Sequence, residues 1–285
     1  MSKTPKEPKP YRGVRDEIRE QQLKAKDMSA KGKLQYFWYY YKVHTIVGLC
    51  IIFFAVTLLH DILSAKDYAF YGIMLNSINL DSEQLQTSFG EYASLDLEKY
   101  ECFIDTQSTL SYTSMTQYDM ATAQKLIALC QTKDLDAVVF DSEVFNNYAN
   151  NELFADLRTL YSDAELAKYK DQLYYVDYAE ILKANEEIDY ENADLISSEE
   201  SSALTLDDIL SEAESHRHPE NMEQPIPVGI FLDASPFAEK TGAYGQLQPI
   251  FGISVTSTRT DTAKQYLDYL WDDTIDFSSM VTPYE

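Results

Sequence analysis

The side chains able to do chemistry in this 285-residue chain are four histidines, three cysteines, 22 tyrosines and 47 acids. His216-Arg217-His218 offers two imidazoles for a metal, but no third ligand stands at a usable spacing, and the motif reads as solvated surface. His44 and His60 flank an apolar stretch and belong to a different environment. Ser–His or Cys–His catalysis needs an imidazole held beside its nucleophile, and beyond residue 60 only the H-x-H pair could supply one. Asp207-Asp208 and Asp272-Asp273 are pairs that so many acids produce by chance. A glycosidase needs two acids at a set separation in space, which the sequence cannot single out. No glycine lies between Gly90 and Gly229, which excludes a phosphate-cradling loop or dinucleotide fingerprint after the early strands. Gly242-Ala243-Tyr244-Gly245 reads as a turn. There is no calcium-loop pattern and no G-x-S-x-G elbow. The expectation is a protein that is not an enzyme and takes no cofactor and no metal. Tyr174, Tyr175, Tyr178, Tyr244 and Tyr266 either face a ligand cleft or fill the core.

The charges divide the chain. Residues 1–44 carry eleven Lys and Arg against five acids, a net of +6. The remainder then holds 12 basic and 42 acidic residues, a net of −30. Nucleic acid is excluded as a partner of the acidic part, because phosphate binding needs clustered basic residues. Between the two regions runs VHTIVGLCIIFFAVTLLHDIL (43–63), preceded by the aromatic run Tyr36–Tyr41 and by Lys42. Aromatic rings favour the headgroup level and a lysine can snorkel, so residues 43–63 read as a transmembrane helix in contact with the lipid bilayer. The positive-inside rule then puts residues 1–42 in the cytoplasm as a basic tail with an aromatic juxtamembrane belt. It puts residues 65–285 outside the cell, as an acidic extracytoplasmic domain. Cys50 falls in the span. Cys102 and Cys130 either pair in an oxidising compartment or pack as small hydrophobes.

Beyond the span, strand-like and helix-like patterns alternate. Tyr68–Leu75, Tyr100–Asp105 and Asp136–Phe140 are short apolar runs of strand type. Between them, Leu80–Ala93 directs Leu85, Phe89 and Tyr92 to one helical face. Tyr118–Thr132 does the same with Met120, Ala123, Ile127 and Cys130. Further helices are expected at Ser142–Ala149 and at Ser162–Tyr169, where Glu165 stands at capping-box spacing from Ser162. Leu173–Val176, Pro227–Leu232 and Phe251–Thr256 are further strands, and a last helix from about Asp261 turns Ala263, Tyr266, Leu267 and Leu270 inward. Residues 185–225 are acidic and serine-rich, a flexible insertion holding one short helix, Leu206–Glu214. The fold class expected is α/β: an N-terminal transmembrane helix, then a single three-layer α/β domain with a mostly parallel sheet.

Three segments carry a family resemblance. DLDAVVFDSEVFNNYANNELFADLRTL (134–160) resembles the third strand and following helix of extracellular solute-binding proteins of the type 2 periplasmic-binding fold. FGISVTSTRTDTAKQYLDYL (251–270) is similar to their returning strand, turn and helix, and HRHPENMEQPIPVGIFLDAS (216–235) resembles a segment of uncharacterised membrane-anchored proteins of Gram-positive bacteria. The resemblance implies one lobe of that fold, held at the membrane and acting as a noncatalytic solute-binding module. The alternative is an accessory subunit that docks on a transporter or envelope complex, a membrane protein partner, and binds no small solute. A ligand would sit in the crevice at the carboxyl ends of the strands, near Asn76, Asp105, Asp141, Ser142, Asp233 and Ser235, unless these residues serve as helix caps and turns.

Overall fold

The computed structural model describes residues 29–64, 66–112, 115–187 and 205–282, which fall into two compact units divided at Ala65. The basic residues of the first 28 positions lie outside the described residues, as does the serine-rich stretch 188–204.

The first unit contains one helix, α1 (Ala30–Ser64), of 35 residues. At 1.5 Å per residue it is about 52 Å long. Within it Tyr41–His60 is long and apolar enough to cross a membrane, with a mean hydropathy of 2.2 and none of it buried against protein. This window lies some forty residues into the chain, opening at Tyr41 rather than Val43 and closing at His60 rather than Leu63. Phe37, Trp38, Tyr39 and Tyr41 stand exposed on the same continuous helix.

The second unit is built on one six-stranded sheet. In chain order its elements are β1 (Tyr68–Met74), α2 (Ser82–Tyr92), β2 (Glu101–Asp105), α3 (Gln117–Thr132), β3 (Ala137–Asp141), α4 (Ser142–Asn150), α5 (Leu157–Leu160) and α6 (Asp163–Leu166). Next come β4 (Leu173–Asp177), α7 (Tyr178–Glu187), α8 (Leu206–Ser215), β5 (Pro225–Phe231), α9 (Pro236–Thr241), β6 (Pro249–Ile253) and α10 (Thr260–Leu270). The strand order is β2-β1-β3-β6-β5-β4. β1 pairs in parallel with β2 and β3, whereas β3–β6, β6–β5 and β5–β4 are antiparallel. The sheet is therefore mixed: β1, β2, β3 and β5 run one way, β4 and β6 the other. The expected parallel arrangement holds for the first three strands only, because no α-helical crossover of the βαβ kind returns the chain in the same direction beyond β3.

Alternate residues of each strand feed two cores. Phe70, Val139 and Phe251 meet α2 and α10 on one face, where Ala263, Tyr266, Leu267 and Leu270 are all buried as the periodicity predicts. Tyr71, Val138, Phe140 and Phe231 meet α3, α4, α7 and α8 on the other. On α3 the inward face differs from the one expected. Leu126 is buried and the expected Ala123 and Cys130 pack against the core, while Met120 and Ile127 are 47% and 57% exposed. Asp119 closes a capping box with Thr116 and also accepts from the Ser111 backbone, and this anchorage fixes the rotation of the helix. Tyr92 is likewise partly exposed and packs edge-on against Tyr269. Glu165 and Ser162 form the predicted capping box, but only one α-turn is completed before a tighter 3₁₀ segment, Ala167–Gln172.

The insertion expected to be flexible over 185–225 contains α8, which is held firmly at its described end: Ala213 is buried and Glu212 bonds to α4. Cys102 and Cys130 are free thiols, the first buried in the core, where desolvation pushes its thiol up to about 12.

Candidate functional site

Four of the six residues expected near a ligand crevice are engaged in turns and helix caps. Asn76 sits in the left-handed region at φ 59°, tolerated by its short polar side chain. Its amide nitrogen donates to Leu110 O (2.8 Å) and Asp141 Oδ2 (2.6 Å), and its oxygen accepts from Leu110 N at 2.9 Å. Asp141 ends β3 and caps α4 by accepting from Val144 N at 3.0 Å, so strand becomes helix with no intervening loop. Burial raises the Asp141 carboxyl above its ordinary range, outweighing those hydrogen bonds. Asp105 closes a turn on Gln107 N, Ser108 N and the Ser108 hydroxyl, and pairs with Lys125 at 2.6 Å. Burial opposes its ionisation, but Lys125 and Ser108 prevail and hold it below its ordinary value. Ser235 caps α9, and Asp233 is exposed and ion-paired with Arg217 at 2.7 Å. Ser142 is buried, and its hydroxyl has no hydrogen-bond partner among the described residues. Asn76 and Asp141 thus touch and Asp105 joins them through the 106–110 turn, where Asn76 N donates to Ser108 O. Cap and turn roles account for four of the six, and none of the six lines the cleft formed beside α4.

That cleft, about 700 Å³, lies between α4, α7 and α8. Its walls are Asn146, Asn150 and Asn151 of α4 and its cap, Asp177 and Glu180 with Ile181, Ala184 and Asn185 at β4–α7, and Glu212, Ser215 and His216 at the end of α8. Asn221 and Met222 complete it. Its position results from strand direction. β4 runs antiparallel to β5 and Asp177 pairs with Pro225, so the carboxyl end of β4 meets the amino end of β5. The cleft therefore opens at the end of the sheet opposite Asp105 and Asp141.

Asp177 repeats the device of Asp141: it ends a strand and receives the first turn of a helix. Its carboxylate accepts from Ala179 N (3.1 Å), Glu223 N (2.7 Å) and Gln224 N (2.9 Å). Burial opposes ionisation, and these three N–H groups outweigh it, so the carboxyl lies below its ordinary value.

A hydrogen-bonded chain fixes the opposite wall. The buried Tyr174 hydroxyl donates to Asn146 Oδ1 at 2.9 Å, and Asn146 Nδ2 donates to Glu212 Oε1 at 2.5 Å. Asn150 adds a donation to Asn146 Oδ1 at 3.3 Å. The His216 ring stacks on Tyr174 with centroids 4.4 Å apart and planes within 13°. Its Nδ1 lies 2.7 Å from Tyr175 O; a carbonyl only accepts, so Nδ1 carries the proton and Nε2 is left as an acceptor. Burial holds the imidazole below its ordinary value, against the contact with Tyr175 and the charges of Glu212 and Glu180. His216 is thus not solvated surface, whereas His218 is exposed between Glu214 and Glu220. Among the described residues no group of three His, Cys, Asp or Glu side chains could hold a metal.

Of the five tyrosines singled out by sequence, Tyr174, Tyr244 and Tyr266 are core residues, and Tyr174 alone reaches the cleft, through Asn146 and His216. The asparagines had a visible signal. FNNYANN (145–151) places four Asn in seven residues of a helix, although Asn is a weak helix former.

A scan against protein-family models gives no match, and searches of curated proteins and of solved structures return none either.

Proposed function

We propose that this chain is a membrane-anchored, noncatalytic solute-binding module whose site is the α4–α7–α8 cleft. The observation that carries the reading is the preorganised wall Tyr174–Asn146–Glu212 beside His216. A buried hydroxyl orients an amide, the amide orients a carboxylate, and Ile181, Ala184 and Met222 supply the apolar part of the lining. A volume of about 700 Å³ suits a small ligand, and ten of the thirteen lining residues are polar, which suits a polar solute. In keeping with the resemblance to one lobe of a type 2 periplasmic-binding fold, the segments that carry it, 134–160 and 251–270, supply the adjacent strands β3 and β6. The helix Tyr41–His60 would be the anchor. The net charge of +6 before residue 45 favours a cytoplasmic N-terminus and an acidic domain outside the cell.

The test is thermal unfolding of the full chain in nonionic detergent against amino acids, peptides, sugars and nucleosides. A ligand at about 100 times its Kd adds roughly 2.7 kcal/mol and raises the midpoint by a few degrees. Asn150→Ala should weaken that rise; a rise indifferent to every cleft substitution would move the site elsewhere.

One observation favours the docking alternative. α3 exposes Met120 (47%) and Ile127 (57%), seven residues apart and so on one face of the helix, an apolar pair of the kind that partners cover. On that reading no solute shifts the midpoint, and substitutions on α3 abolish co-purification with a membrane complex.

A further inference from the structure

We propose that the cleft is selective for a small organic cation, an ammonium or guanidinium group on a short aliphatic chain. This inference rests on the solute-binding reading and names the ligand class for the same site.

The charge balance of the walls is one-sided. Asp177, Glu180 and Glu212 line the cleft, and among the described residues no Lys or Arg does. The cations of neighbouring segments are committed elsewhere. Lys183 on α7 pairs with Glu223 at 2.9 Å, outside the lining. Arg217, next to His216 in sequence, lies over the Phe231 ring at 3.7 Å and is held by Asp233 and Gln172. The lining itself holds no cation; Lys183, although paired with Glu223, also acts on Asp177 and Glu180, so an anion entering the cleft would meet three carboxylates against one neighbouring ammonium.

Hydrogen-bond direction points the same way. Asn146 spends its amide nitrogen on Glu212 Oε1 and its oxygen on Tyr174 and Asn150. Besides the amides of Asn150, Asn151, Asn185 and Asn221, which both donate and accept, the lining offers acceptors alone in the second oxygen of Glu212, the Glu180 carboxylate and His216 Nε2. Carboxylates and an imidazole nitrogen that only accept suit a ligand rich in N–H donors, as ammonium and guanidinium groups are.

The apolar part of the lining, Ile181, Ala184 and Met222, suits a few methylene groups beside the charged head.

The experiment is isothermal titration of the full chain in nonionic detergent at about 0.15 M salt, where exposed charges are screened beyond about 8 Å. Three probes built on a four-carbon chain are compared, with maltose as a neutral polar solute: agmatine (cationic), 1,4-butanediol (neutral) and succinate (anionic). Agmatine should bind saturably at one site, and butanediol and succinate should not. The double variant Glu180→Gln/Glu212→Gln should weaken agmatine at least tenfold. Glu98→Gln/Glu239→Gln, which removes two exposed charges elsewhere, should leave it unchanged. Equal weakening by both double variants would reduce the effect to diffuse attraction by an acidic protein and overturn the proposal. Binding of maltose but not agmatine, lost in Asn150→Ala, would overturn the cation and keep the cleft. Silence from all four probes would sink the cation proposal, and the midpoint screen with amino acids, peptides, sugars and nucleosides would then decide the cleft itself.

Discussion

The two ends of the sheet use the same residue type to different effect. At the carboxyl ends of β2 and β3, Asp105 and Asp141 are buried and spent on turns and caps, and Asn76 spans the space between them. At the other end Asp177 performs the same capping task, yet the helices around it stay apart and leave a cleft with Glu180, Glu212 and His216 on its walls. The difference lies in the chain beyond each aspartate. The 106–110 turn and the Asn76 side chain are short enough to satisfy one another. Beyond Asp177 the chain instead runs through α7 and α8, and Glu212 of α8 is bonded to α4. A carboxylate saturated by its own backbone holds a fold together, whereas one without an internal cation is available to a ligand.

Substitutions at the closed end should give the largest stability effects. Asp141→Ala removes the cap of α4 and strands the Asn76 amide, and a loss of about 3 kcal/mol is expected in urea unfolding. Agmatine binding should be unchanged; the reverse pattern would exchange the roles of the two ends. At the open end Asn146→Ala leaves the buried Tyr174 hydroxyl without an acceptor. It should cost roughly 2 kcal/mol and also weaken binding, because Glu212 loses its orienting donor.

The pH profile sharpens the contrast further. His216 has its folded-state value below the ordinary 6.5, so the unfolded chain takes up a proton first as pH falls. Its contribution makes stability drop from pH 6.5 downward and level off below the folded value. Asp141 is raised above the ordinary 3.8, so its contribution makes stability fall as pH rises from 3.8 through the folded value. His216→Asn should flatten the slope just below pH 6.5, and an unchanged slope there would remove His216 as its source. The smallest stability effect is expected for Glu180→Gln, within about 0.5 kcal/mol, since its side chain is exposed at the cleft wall. A loss above about 1 kcal/mol would show that Glu180 serves the fold rather than the cleft.

Much of the architecture is legible in the sequence because local patterns are decisive where a segment is short and apolar. AVVFD (137–141) is strand on composition alone, and Asp141 is a strand end that can also cap. The inward face of α10 is set by spacing. The face of α3 is not, because Met120 and Ile127 compete with an Asp119 anchor whose partner Ser111 lies in the preceding loop. The burial of His216 is hidden for a related reason. In sequence it is one half of an H-x-H, and only the return of β4 beside α8 supplies the Tyr174 ring and the Tyr175 carbonyl that bury it.

The sequence by itself determined the partition of the chain: a basic start, one long apolar helix and an acidic α/β domain without glycine-rich or nucleophile motifs. These features depend on composition and on periodicities within one element. Tertiary structure alone decided the direction of β4 and β6, and with it the end of the sheet at which the cleft opens. Strand direction is set by connections and pairing partners far apart in the chain, and a run such as LYYVD reads the same whichever way it points.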